Sequence, residues 1–185
     1  MEGKIFLLLL FLCFFSVFVN AEDLKAYKEI NFLDSPKAVK EKIRNDKEIK
    51  SFLLGDPQVK INGHWYWLKF KYYKNQLYQI QFKSNSQPAS YFNTYIKDYY
   101  NTLADIIEEK HGKPTFTKDL DILDMNAGFI AWSNEWESES DIMHQIGIGE
   151  SRKCDFYASM WITHKPLLDE KEAAEKEESV NLDDF

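Results

Sequence analysis

The chain has 185 residues, 44% of them apolar and 16% aromatic, and a formal net charge of −7. That apolar content suits one domain with an ordinary core and excludes a chain that is disordered throughout. The charge excludes a global basic field for nucleic acid, because residues 169–185 hold eight carboxylates against Lys171 and Lys176 and so carry −6, leaving the body close to neutral.

Lys4 precedes an unbroken apolar run from Ile5 to Val19, shorter than the roughly 20 residues of a bilayer span, and Val19-Asn20-Ala21 supplies the small residues of a cleavage site. We therefore expect residues 1–21 to be a signal peptide and the protein to be exported, to the periplasm or the extracellular space. An uncleaved anchor is the alternative. The expected mature chain keeps one cysteine, Cys154, which cannot close an internal disulfide.

Asp34-Ser35-Pro36 followed by KAVKEKIRND predicts a peripheral helix, capped by Ser35, with Pro36 at its first position and Val39 and Ile43 as its apolar stripe. A short strand is expected within residues 47–56, where Phe52, Leu53 and Leu54 precede Gly55-Asp56-Pro57. Residues 57–84 then read as three strands with two turns between them. A two-residue turn at Asn62-Gly63 places Ile61 opposite His64, Lys60 opposite Trp65 and Val59 opposite Tyr66. One face then carries Val59, Tyr66, Leu68, Phe70 and Tyr72. A three-residue loop at Lys74-Asn75-Gln76 adds Tyr78, Ile80 and Phe82 to it.

Pro88 to His111 predicts the longest helix, with Phe92, Ile96, Tyr99, Leu103, Ile106 and Ile107 facing the sheet and Gly112 and Pro114 stopping it. Residues 116–126 read as an irregular acidic connector. Strands are expected at 129–136, 142–149 and 156–164, and alignment of their apolar faces sets His144 opposite Met160. The fold class is α+β, an antiparallel sheet of two three-stranded meanders with helices on one face, in the order helix-βββ-helix-βββ. Residues 22–168 form a single domain. Residues 169–185 are expected to be a disordered acidic tail, drawn electrostatically towards lysines on the sheet. The run KHGKP at the end of the long helix, followed by a strand with Trp132, resembles a pattern met in small exported bacterial domains of unknown role; it implies a helix stop and a strand, and no activity.

No nucleophile motif is present. Gly147-Ile148-Gly149-Glu150-Ser151-Arg152 leads out of a strand into a hairpin, so its glycines are read as strand and turn positions and not as a phosphate loop. Cys154 with His144 or His164 fails as a thiol and base, because the expected register keeps them apart. Asp119, Asp121 and Asp124 lack the glycine and closing glutamate of a calcium loop, and no metal or cofactor is expected. The candidate binding face is the outward side of the first meander: Trp65 and Trp67 among Lys60, Lys69, Lys71 and Lys83, with Tyr157 and Trp161 added if the two meanders share a sheet. The expected function is an exported, non-enzymatic binding or inhibitor-type module with a glycan, an anionic polymer or a protein as its partner. The alternative is a small secreted hydrolase using carboxylates in the 119–141 region.

Overall fold

The computed structural model describes residues 24–50, 55–138, 140–151 and 154–183. The expected leader at 1–21 and the Phe52-Leu53-Leu54 run lie outside the described residues. Strands β1 (Lys25–Tyr27) and β2 (Ile30–Asn31) form a small ladder of their own. Helix α1 (Pro36–Asn45) follows, with the Ser35 hydroxyl accepting from the Ala38 N–H at 3.3 Å, Pro36 in its first turn, and Val39 and Ile43 buried as its spacing demands. Strand β3 (Ile49–Lys50) then leads into β4 (Gln58–Ile61), β5 (His64–Tyr73) and β6 (Gln76–Ser84).

The first hairpin has the expected register, Ile61 with His64, Lys60 with Trp65 and Val59 with Tyr66. The second reaches the expected faces by another route. Its turn has two residues, Lys74 and Asn75, both at positive φ, and a bulge between Lys71 and Tyr72 absorbs Tyr78 as the unmatched residue. Leu68 still pairs with Phe82 and Phe70 with Ile80. The extra residue expected in the loop sits in the strand, because a two-residue turn with positive φ follows the twist of the strands while the bulge restores the apolar face.

Strand β7 (Gln87–Pro88) is extended, so the long helix cannot begin at Pro88 as expected. The chain instead makes a 3₁₀ turn at Ala89–Tyr91 and a π turn at Phe92–Ile96 before α2 (Lys97–His111). The widened turn keeps Phe92 and Ile96 on the same side as Leu103 and Ile107, and all four are buried. Gly112 ends α2 at φ 76°, and its carbonyl accepts from Trp136 Nε1 at 2.8 Å. The acidic connector holds a short strand, β8 (Phe116–Thr117), and a 3₁₀ turn at Ile122–Asp124.

Strands β9 (Ile130–Glu137), β10 (Ile142–Glu150) and β11 (Asp155–His164) make the second meander. His144 pairs with Ile162, and Ile146 with Met160, a shift of two residues from the expected alignment. A two-residue slip leaves every side chain on its own face, so the apolar pattern cannot detect it; the turn around Ser151 and Cys154 sets the pairing.

The meanders are fused. Strand β6 pairs antiparallel with β11, and the described strands run β3-β4-β5-β6-β11-β10-β9-β8 in one sheet. Helices α1 and α2 and the β1–β2 ladder cover one face, over a core that joins Val39, Phe32 and Leu103 to Tyr66, Phe82, Ile146 and Met160. The tail is a correction: residues Lys165–Asp183 form helix α3. Its alanines, glutamates and lysines are strong helix formers, and it continues directly from β11. Lys165 pairs with Glu137 at 2.7 Å, Lys171 with Glu175 at 2.8 Å, and Lys74 with Glu170, while Leu167 is buried.

Candidate functional site

Alternation along the strands sends a second set of side chains to the face opposite α1 and α2. Reading across the sheet, Trp67 pairs with Lys83, Lys83 with Ser159, Ser159 with Gly147 and Gly147 with Trp132. This row carries a tryptophan at each end and small residues in the middle, so the surface dips between two walls. At about 4.8 Å per strand the walls stand roughly 19 Å apart at their Cα atoms. The resulting open groove has a volume of about 710 Å³.

One wall is cationic, formed by Lys69 and Lys71 of β5 and Lys83 of β6, and the other is aromatic, formed by Trp132 of β9 and the exposed Phe129 before it. Trp161 lies between them, on the next row with Gln81 and Lys69, and packs edge-on against Trp132 with ring centroids 4.7 Å apart. Trp67 Nε1 donates to Asn85 Oδ1 at 3.2 Å. These contacts hold all three indoles in fixed orientations.

Two buried glycines of β10 lie behind the groove lining. A Cβ on Gly149 would run into the Tyr157 ring, so its absence lets that ring lie across β10. Lys83 Nζ then stands 3.8 Å from the Tyr157 ring centroid. Burial pushes the Lys83 pKa down, and the charge of Lys69 adds to the effect. A Cβ on Gly147 would meet the Ala131 carbonyl oxygen, a backbone atom of β9. The two positions should therefore respond differently to alanine. Gly147→Ala is expected to cost about 1 to 3 kcal/mol, since β9 must move, whereas Gly149→Ala should cost less than about 1 kcal/mol and instead lift Tyr157 into the groove. Denaturant melts of both variants check this, and equal losses would contradict the assignment of Tyr157 as the movable neighbour.

Of the residues singled out from sequence, Trp67, Lys69, Lys71, Lys83, Tyr157 and Trp161 line the groove. Trp65 and Lys60 do not. Trp65 lies under Lys50, whose Nζ is 4.2 Å from the ring centroid, with Lys60 at 6.0 Å. Trp132 was missed, and Gly147 and Gly149 were read only as strand and turn positions. Their signal was weak: Gly147 and Gly149 are two apart, and so share a face, but a bulge between Ile146 and Gly147 hides which way Trp132 points. A smaller hollow of about 390 Å³, sharing Lys71, Gln81 and Trp161 with the groove, extends it to Leu168 and Glu172 of α3. The acidic helix thus borders one end.

The other candidates are dispersed by the fold. Asp121 Oδ1 accepts from the Leu123 N–H at 3.1 Å and Asp124 Oδ2 from the Asp121 N–H at 2.8 Å, so both carboxylates close the 3₁₀ turn, and Lys118 pairs with Asp124 at 3.3 Å. Glu135 accepts from Gln145 at 2.7 Å. Cys154 is exposed in a turn at one end of the β10–β11 hairpin, while His144 and His164 lie towards the other. Among the described residues no group of three or more His, Cys, Asp or Glu side chains is placed to hold a metal ion, and no helix is long and apolar enough to cross a membrane. No family model, curated protein or solved structure matches the chain.

Proposed function

We propose that this is an exported, non-enzymatic binding module, of the kind that sequesters or inhibits, and that the groove on the uncovered face of its sheet is the binding site. The observation that carries this reading is the composition of the groove: aromatic rings on one wall, lysines on the other, and Asp56 as the single carboxylate in its lining. Its volume falls within the roughly 300 to 1,000 Å³ of ordinary ligand sites, and a site with fixed rings loses little entropy on binding. The hydrolase alternative finds less support. Acid–base work on a glycosidic bond needs two carboxylates facing one cleft, and in the 119–141 region Asp121 and Asp124 are spent on a turn, Glu135 on an amide and Glu137 on a lysine.

Retention of the full-length protein on immobilised polysaccharides and extracellular proteins, set beside Trp161→Ala and Lys83→Glu, tests the reading. A ligand held at least tenfold more weakly by both variants supports it. If both variants retain every captured ligand as well as the parent does, the groove is not the site.

A further inference from the structure

We infer that the ligand of this groove is an acidic polysaccharide, with its anionic groups on the lysine wall and its sugar rings against the indoles. This rests on the binding reading above and adds the chemistry of what is bound.

The two walls ask for different things. Lys69 and Lys71 are two apart on β5, about 6.8 Å, and Lys83 is diagonal to Lys69 on β6, so three cations share one side of the groove. Their counter-charge is thin: Asp56 lies 3.9 Å from Lys69, and no ion pair of Lys71 or Lys83 occurs among the described residues. Lys83 is also partly withdrawn from water, packed on the Tyr157 ring. A cation that is both partly desolvated and short of a carboxylate gains most from an incoming anion. The facing wall offers Trp132 and Phe129, and the edge-packed Trp161 stands between the walls, flat surfaces that suit the C–H face of a pyranose ring. Gln81, Asn85 and Ser86 add amide and hydroxyl groups for sugar hydroxyls. An anionic sugar chain meets all three demands at once: charge on one edge, an apolar ring face, and hydroxyls between.

The rival macromolecules fit less well. Protein interfaces are depleted in lysine and enriched in arginine, yet every cation of this groove is lysine and Ile130 is its one aliphatic side chain. Single-stranded nucleic acid also stacks on aromatic rings, but its phosphates are gripped best by the bidentate guanidinium of arginine, which this groove lacks among the described residues. The groove's three lysines are compact point charges, which pair with a carboxylate or sulfate without needing a bidentate fork.

The test is titration calorimetry of the full-length protein with oligogalacturonate, with the same oligomer after its carboxyls are reduced to alcohols, with a sulfated dextran oligomer, and with oligothymidylate of equal charge. Binding of the uronate or the sulfated glycan, at least tenfold weaker for the neutral sugar, is expected. The combined variant Lys69→Ala, Lys71→Ala and Lys83→Ala, all at exposed or half-exposed positions, should lose at least tenfold, and Trp161→Ala likewise. The ratio of uronate to sulfate affinity identifies which anion is preferred. Tighter binding of oligothymidylate, or equal binding of the neutral sugar, overturns the acidic glycan. So does no binding of either acidic glycan; if another ligand is still lost in Trp161→Ala, the groove stands as a site and only its ligand class is wrong.

Discussion

Leu103→Ala is expected to destabilise the protein by about 2 to 5 kcal/mol, the range for a large-to-small change in a packed interior. Leu103 is 1% exposed, on the face of α2 that meets the sheet. It belongs to the same core as Tyr66, Phe82 and Met160, contributed by both meanders, so the cavity would open where the two halves meet. Little around it can collapse into the space, since Tyr66 is pinned by its hydroxyl donating to the Tyr99 carbonyl at 2.9 Å. Lys71→Ala, on the opposite face, should change stability by less than about 0.5 kcal/mol. Denaturant melts decide between them. A Lys71→Ala loss as large as that of Leu103→Ala would mean that the outer face of β5 is not open.

Acid should weaken the fold well above the range where carboxylates titrate. His144 is buried beside the tilted ring of His111, 4.6 Å away between centroids, and its Nδ1 has no hydrogen-bond partner. Burial pushes its pKa down to about 3, and the charges of His111 and Lys110 act in the same direction. The unfolded chain takes up the proton near pH 6.5 and the folded one only near 3, so the His144 contribution is intact above pH 6.5 and is lost progressively as the pH falls through that window. Between pH 7 and pH 4.5 the loss from this one side chain should be about 2 to 3 kcal/mol. His164 and His111, both lowered chiefly by burial, add to it with the same sign. Unfolding at the two pH values, with His144→Phe as the control, measures the effect. The variant should lose at most about half as much as the parent; an unchanged pH dependence would remove His144 as its cause.

The sequence by itself determined whatever a local rule could settle. The Asn62-Gly63 turn fixed the β4–β5 register residue for residue, Ser35 and Pro36 fixed the start of α1, and period-two alternation sorted the strands of the first meander into an apolar and a lysine-rich face. Each depends on groups within a few residues of one another, so the chain carries its own instructions. Where two arrangements kept the same faces, the sequence was silent: the Tyr78 bulge in place of a longer loop, and the two-residue offset of β10 on β11, cost no side chain its burial. Helix α3 was misread because its stability comes from helix propensity and from Lys74 of the β5–β6 turn and Glu137 of β9, which reach it from distant parts of the chain. The candidate site lay furthest from view. Trp67 and Trp132 are walls of one groove only because β6 pairs with β11, a contact between segments more than 70 residues apart. No turn specifies that pairing. It follows from the joint burial of Ile80 and Phe82 with Ile162 and Met160 under α2, and tertiary packing alone brings those four side chains together.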